Sequence, residues 1–192
     1  IKKDVKNNGH KKFINEPEIL DLLQVIDGSK EDENLLGFLD YDKIKEGKMC
    51  RHMVMVLPYC ASCDAMEELL NKQKDTFKNL SEYEIINISG VDGGRIYKKP
   101  SDIKNKIKEC EDSDKKTITL TVNRMLTGST VEQWDTMLYF KDTSSPQEYD
   151  QSIFRLQNQY IRTLSSEKGF IKENLKPQTL LVDFDPDRLF RM

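Results

Sequence analysis

Much of what marks specialised proteins is missing from this chain. Four cysteines among 192 residues are far too few for an extracellular disulfide scaffold. No apolar run approaches the about 18 residues needed to cross a bilayer, and no signal-peptide core opens the sequence. No membrane partner is therefore expected. An excess of charge is missing too: 30 Lys and Arg against 33 Asp and Glu leave a net charge of −3 and a pI near 5.6. That balance excludes a general polyanion-binding surface and leaves room only for a local basic patch. There is no internal repeat and no low-complexity tract. The expectation is a soluble cytoplasmic chain, and its start at Ile1 rather than Met points to a piece cut from something longer.

What is present suits a folded core. Hydrophobic residues make up 37% and charged residues 33%, and the length fits one large or at most two small domains. Residues 1–17 are polar and basic with no apolar period, and read as a linker. From Glu16 to Ile26, the residues Ile19, Leu20, Leu22, Leu23 and Ile26 outline an amphipathic helix closed by Asp27-Gly28. Residues 29–49 are charged and weakly patterned, so the division is placed near Lys48: a linker and helical lead-in over 1–48, and the main domain over 49–192.

Beyond Lys48 the pattern changes. Met53-Val54-Met55-Val56-Leu57 is a continuous apolar run stopped by Pro58, as expected of a strand covered on both faces. A helix follows at 61–72, then strands at 84–88, 117–122, 136–140 and 179–184, with Ser101 capping a helix over 102–110. Strands separated by helices predict an α/β domain with a mostly parallel sheet flanked by helices. One helix is unusually legible. Ser145-Pro146-Gln147-Glu148 is a capping box with proline at the first helical position. On ideal geometry Tyr149, Ile153, Leu156 and Tyr160 form a core stripe, and Gln151, Arg155, Asn158 and Arg162 gather within about 60° on the other side.

The chemistry concentrates between Thr117 and Tyr160. A strand runs into the loop Asn123-Arg124-Met125-Leu126-Thr127-Gly128-Ser129-Thr130, and a second strand leads into the capped helix. A Thr-Gly loop after a strand offers backbone N–H groups and a hydroxyl, which suit phosphate oxygens. An arginine on a helix beyond a strand can reach a γ-phosphate across a cleft. Spacing alone favours the plainer account, an ordinary loop and a solvated helix face. The same holds for the lysines at 98, 99, 104, 106 and 108, a weak basic cluster on a solvated helix.

TVNRMLTGSTVEQWDTMLYF followed by YDQSIFRLQNQY resembles motifs V and VI of superfamily 2 helicases and DNA translocases, nearest to the motor subunit of type I and type III restriction enzymes. Motif V there reads approximately D-M-L-L-T-G-F-D and motif VI Q-x-x-x-R-x-x-R. Met125, Leu126, Thr127 and Gly128 match the first, and Gln151 and Arg155 match the second. MVMVLPYCASCDAMEELL is similar to motif IV, and Ile88-Ser89-Gly90 stands where the family has a short phosphate-contacting turn. The resemblance spans roughly 48–185. It implies a RecA-like (P-loop NTPase-like) fold, the second motor domain of an ATP-dependent helicase or translocase.

By that resemblance the parent belongs to a restriction system. Arg155 and Gln151 are the catalytic residues; Gly128, Arg155 and Arg162 meet ATP; Thr127, Ser89 and Tyr59 contact nucleic acid. Implied partners are double-stranded DNA, an upstream first RecA-like domain, and methylation or specificity subunits. ATP and Mg²⁺ are the implied cofactors, held mainly by that first domain, because G-x-x-x-x-G-K-[ST] occurs nowhere in this sequence. The 192-residue chain alone is expected to hydrolyse no ATP.

Departures from the pattern keep other readings in view. Asn123 and Thr130 replace the two motif V aspartates, and Asn158 replaces the second motif VI arginine, whose charge is worth about 10³–10⁵ in rate. Arg162 could substitute only if the helix runs that far. These changes favour a catalytically dead interaction scaffold as one alternative. Cys60-x-x-Cys63 between a strand and a helix suggests another, a thioredoxin-like thiol oxidoreductase, although the proline expected before a later strand is missing. A zinc site from Cys50, His52, Cys60 and Cys63 would need the Met53–Leu57 run to be a loop, so no metal ligand is assigned.

Overall fold

The computed structural model describes residues 5–8, 10–31, 37–46, 49–90, 96–122, 131–142, 145–166 and 169–185. In chain order the elements are β1 (Val5–Asn8), β2 (His10–Phe13), α1 (Glu16–Asp27), the short α2 (Asp42–Lys45), β3 (His52–Val56), α3 (Cys60–Lys72), β4 (Tyr83–Asn87), α4 (Pro100–Asp112), β5 (Lys116–Thr121), β6 (Thr136–Tyr139), α5 (Pro146–Leu156), β7 (Ile161–Ser166), β8 (Gly169–Asn174) and β9 (Leu180–Asp183). Five strands form one sheet in the order β4-β5-β3-β6-β9, and every neighbouring pair is parallel. The α/β class with a parallel sheet flanked by helices is therefore observed, with each expected strand within a residue or so of its place.

The continuous apolar run of β3 follows from its central position. Met53, Met55 and Leu57 join a core with Leu23 and Ile26 of α1 and Met66 and Leu69 of α3. Val54 and Val56 face the opposite core, shared with Ile103 and Ile107 of α4 and Tyr149 and Leu156 of α5. Helices on both faces leave no wet side for alternation to mark. Among the described residues no helix is long and apolar enough to cross a membrane.

Local signals set the helix ends. α1 closes on Gly28 at φ 80, with Ser29 N–H donating to the Gln24 carbonyl at 2.9 Å. A side chain there is excluded twice, since a Cβ on Gly28 would lie 2.6 Å from Cβ of Asp40. Asp27, fully buried, accepts from the backbone N–H groups of Lys78, Asn79 and Leu80 at 2.8, 2.8 and 2.6 Å, tying α1 to the approach to β4. α5 starts at Pro146, and Ser145 Oγ accepts from Glu148 N–H at 3.4 Å, as the capping box requires.

Four features differ from expectation. Residues 1–17, read as a linker, hold the antiparallel pair β1–β2, with β2 lying along α3 and Phe13 buried in the core. α4 begins at Pro100 rather than after Ser101. The Asp102 carboxylate reaches back to Lys98 and Lys99 N–H at 3.1 and 2.9 Å, so Ser101 lies inside the helix. α5 ends at Leu156, short of Tyr160 and Arg162. Asn158 Nδ2 caps the Arg155 carbonyl at 3.1 Å, and Lys176 Nζ takes the Leu156 carbonyl at 3.0 Å. The chain then forms an unforeseen antiparallel hairpin, β7–β8.

Candidate functional site

A parallel sheet gathers the carboxyl ends of its strands on one edge. Here β3 is central, the first crossovers lead to β4 and β5 on one side, and the later ones lead to β6 and β9 on the other. Ligands of open α/β sheets bind at the carboxyl edge where the winding reverses, which here is the end of β3 and its neighbours β5 and β6.

Tyr59 stands there, after β3 and at the head of α3, and is 48% exposed. Ser89 follows β4 but is buried. Its hydroxyl accepts from Val122 N–H at 3.1 Å and meets Thr121 Oγ1 at 3.2 Å, while Thr121 donates to the Val122 carbonyl at 3.1 Å. Ser89 thus fastens the end of β4 to the end of β5. The turn itself is held by Asn87. Its Oδ1 accepts from Ser89 and Gly90 N–H at 3.3 and 2.7 Å, and its Nδ2 donates to Asp64 and Glu67 of α3 at 2.9 and 2.7 Å. A Cβ on Gly90 would lie 1.8 Å from Asp64 Oδ1 and 2.4 Å from Asn87 Nδ2, so a larger residue would displace the ends of both side chains. The tie from Asn87 to α3 had no signature in the sequence, since Asp64 and Glu67 lie about twenty residues away.

Asn123, Met125, Leu126, Thr127, Gly128 and Thr130, which the sequence places after the strand that ends at this edge, lie outside the described residues. The chain returns through Val131 and Trp134, both buried against α4 and α5, with Trp134 Nε1 donating to Thr119 Oγ1 at 3.1 Å.

Gln151 and Arg155 sit elsewhere. α5 leaves the carboxyl edge after β6 and runs back along the sheet. Its buried side carries Tyr149, set edge-on to Tyr139 at 5.2 Å, and Leu156. Four residues apart, Gln151 and Arg155 share the outer side; Gln151 is exposed and Arg155 half-buried, with partial desolvation lowering the affinity of its guanidinium for the proton. Arg155 belongs to the last turn. The next residue's carbonyl shares Lys176 Nζ with the Trp134 carbonyl just ahead of β6, each at 3.0 Å. Arg155 is therefore level with the amino ends of the strands, and the structure separates it from Tyr59 and Ser89. Arg162 does not join it. The helical stripe expected through Asn158 and Arg162 is broken, and Arg162 sits on β7 opposite Glu173 of β8.

The cysteine readings also resolve. Cys60 is exposed at the first position of α3, Cys63 is buried one turn on, and both are free. Cys50 and His52 belong to the other end of β3, which is a buried strand and not a loop, so the four cannot close around a metal. Among the described residues no group of three His, Cys, Asp or Glu side chains could hold one. His52 instead bonds Thr117 Oγ1 through Nδ1 at 3.0 Å, and burial lowers its pKa to about 4. Cys50 accepts from Thr136 Oγ1 at 3.2 Å and is pushed up to about 12 by burial.

The fold and these positions define an α/β sheet domain with polar groups at its carboxyl edge and an arginine on a flanking helix. No protein-family model matches the chain. It is 31% identical over 135 residues, 70% of its length, to a Mycoplasma pneumoniae sequence described as the C-terminus of a candidate type II restriction enzyme and methyltransferase. The chain spans 17% of that relative. A crystal structure of the C-terminal part of the Fun30 ATPase domain aligns with 88% of this chain and 49% of that one, at TM-score 0.39 and 12% identity.

Proposed function

We propose that this chain is the second motor domain of an ATP-dependent DNA translocase within a restriction–modification protein, acting in the cytoplasm. The observation that carries the reading is α5. With Tyr149 and Leu156 turned into the core, Gln151 and Arg155 lie together on its outer side, away from the strand-end cluster. A domain that grips DNA in one place and a nucleotide in another needs two such separated sets of groups. The motif resemblance and the restriction-enzyme relative support the same reading.

In this reading Arg155 faces the γ-phosphate of an ATP held mainly by a first motor domain, together with Mg²⁺. Its planar fork meets two phosphate oxygens, and its partial desolvation strengthens the attraction. Gln151, one turn away, orients the nucleotide or the attacking water. Thr127 and Gly128 supply loop hydroxyl and amide groups to a phosphate, and Tyr59 offers an exposed ring to sugar or base. Ser89 acts as a positioning residue, since its hydroxyl and amide are already engaged within the protein. Contacts to phosphate carry no base information, so sequence choice falls to partner subunits.

DNA-stimulated ATP hydrolysis by the full-length parent is the test. Turnover that rises with double-stranded DNA and vanishes in the isolated chain fits the motor. The end of α5 at Leu156 favours a second reading, since no further arginine follows Arg155 on the helix. A parent that binds DNA but never hydrolyses ATP would establish this domain as a scaffold.

A further inference from the structure

α3 opens with two thiols in its first turn. Cys60 reaches solvent, whereas Cys63 is fully buried beneath it, and the structure holds both reduced. Residues three apart on a helix are separated by a rise of about 4.5 Å and a rotation of about 300°, which places their Cα atoms about 5 Å apart. That lies inside the Cα separation of about 4.4–6.8 Å that a disulfide spans. The turn is well formed, with Ser62 and Cys63 N–H both donating to the Tyr59 carbonyl at 3.0 and 3.2 Å. The other two cysteines, Cys50 and Cys110, are both buried and free.

We propose that Cys60 and Cys63 are a redox-active dithiol, modified by low-molecular-weight disulfides and closing to an intramolecular disulfide. The proposal rests on α3 alone and not on the motor reading. Cys60 is the thiol that solvent presents to an oxidant. Its thiolate attacks one sulfur of R–S–S–R; that bond breaks, and the departing RS⁻ takes up a proton. Cys63 then attacks Sγ of Cys60 as it gives up its proton, and the second RS⁻ departs and takes that proton up. Two protein thiols are oxidised to one disulfide, and one external disulfide is reduced to two thiols. Burial raises the proton affinity of Cys63, as do neighbouring Cys60, Asp64 and Glu67, so the exposed Cys60 and not Cys63 makes the first attack. Asp64 and Glu67 are held by Asn87, whose Oδ1 also holds Ser89 and Gly90.

Oxidised glutathione is the probe. The folded protein is incubated with it, quenched, denatured and alkylated with a maleimide, and intact masses are read. Wild type should carry two fewer alkyl groups than the reduced protein and no retained glutathione. Cys63→Ser should stop at a single glutathione adduct on Cys60, and Cys60→Ser should keep its remaining cysteines alkylatable. A wild type that retains glutathione to the same extent as Cys63→Ser, or that keeps all four cysteines alkylatable, would overturn the proposal.

Discussion

At the amino ends of the strands polar groups turn inward, whereas Tyr59 and Cys60 beyond β3 and Gln151 on α5 turn outward. His52, Thr117, Thr136, Asp135 and Lys176 are all buried. Asp135 Oδ2 accepts from Arg51 N–H at 2.8 Å, Tyr83 OH donates to the Cys50 carbonyl at 2.6 Å, and Lys176 Nζ donates to the Glu132, Trp134 and Leu156 carbonyls at 2.8, 3.0 and 3.0 Å. Tyr59, Cys60 and Gln151 face solvent instead, and Arg155 is half-covered. The inner set closes one end of the sheet and is bound up in doing so. The outer set contributes little to that closure. Residue type alone does not separate the two sets; the direction of each side chain does.

The largest expected effect is on the outer set. In the full-length parent, Arg155→Ala should lower ATP turnover by about 10³ or more at saturating DNA, with circular dichroism unchanged. Arg155→Lys should rescue poorly, because an ammonium cannot reproduce the two-oxygen fork. Wild-type turnover in a folded Arg155→Ala parent would show that this face is merely solvated.

Next come two changes at buried charged residues, Asp27 and Lys176. Asp27→Ala strands three backbone N–H groups that its carboxylate now satisfies, and should cost about 3 kcal/mol or more in urea unfolding. Lys176→Met keeps the stem but leaves three carbonyls without their donor, a loss of about 2 kcal/mol. Unfolding midpoints that do not move would mean that water replaces these groups without cost, and the contrast between the two regions would collapse.

A smaller, pH-dependent effect sharpens the inner set. Burial raises the Asp135 pKa from 3.8 to about 6. The unfolded chain thus releases this proton first, and stability declines as pH rises through that window. His52 works the other way: with its pKa lowered from 6.5 to about 4, it supports the fold above 6.5 and loses that support as pH falls towards 4. Asp135→Asn should remove the first dependence and expose the second, as a transition midpoint that falls steadily from pH 6.5 to 4. At pH 7 the variant should be as stable as wild type or more so, by at most about 3 kcal/mol. A flat profile in the variant would break the assignment of His52. The smallest effect belongs to Tyr59→Ala, which should shift folding stability by less than about 0.5 kcal/mol; a larger shift would make the carboxyl edge structural.

Local chemistry was easy to read ahead of the structure, and distant pairing was not. The Ser145 cap, the Gly28 stop and the β3 run each depend on neighbours within a turn, or on burial of the whole strand. The β1–β2 hairpin carried one overlooked local sign, Asn8-Gly9, a pair favoured in tight hairpins. β7–β8 had a weaker one, the alternation through Ile161, Thr163 and Ser165, hidden by an apparent continuation of the α5 stripe. Within the site, the carboxyl-edge location of Tyr59 followed from strand-then-helix order. The inward turn of Ser89 did not, because Thr121 and Val122, which hold it, come more than thirty residues later.

By itself the sequence determined the five strands of the main sheet and the helices α1, α3, α4 and α5 that flank it, that the sheet is mainly parallel, and that Gln151 and Arg155 share one side of a helix. These follow from apolar periodicity, caps and the length of crossovers, all properties of short stretches. Only the tertiary structure decided the strand order β4-β5-β3-β6-β9, the end of α5 at Leu156, and the separation of Arg155 from Tyr59. Those depend on which distant groups meet. Lys176 is the clearest case: a lysine without any distinguishing neighbour in sequence takes the last carbonyl of α5 and the carbonyls ahead of β6, and so sets where the helix stops and which residues remain on it.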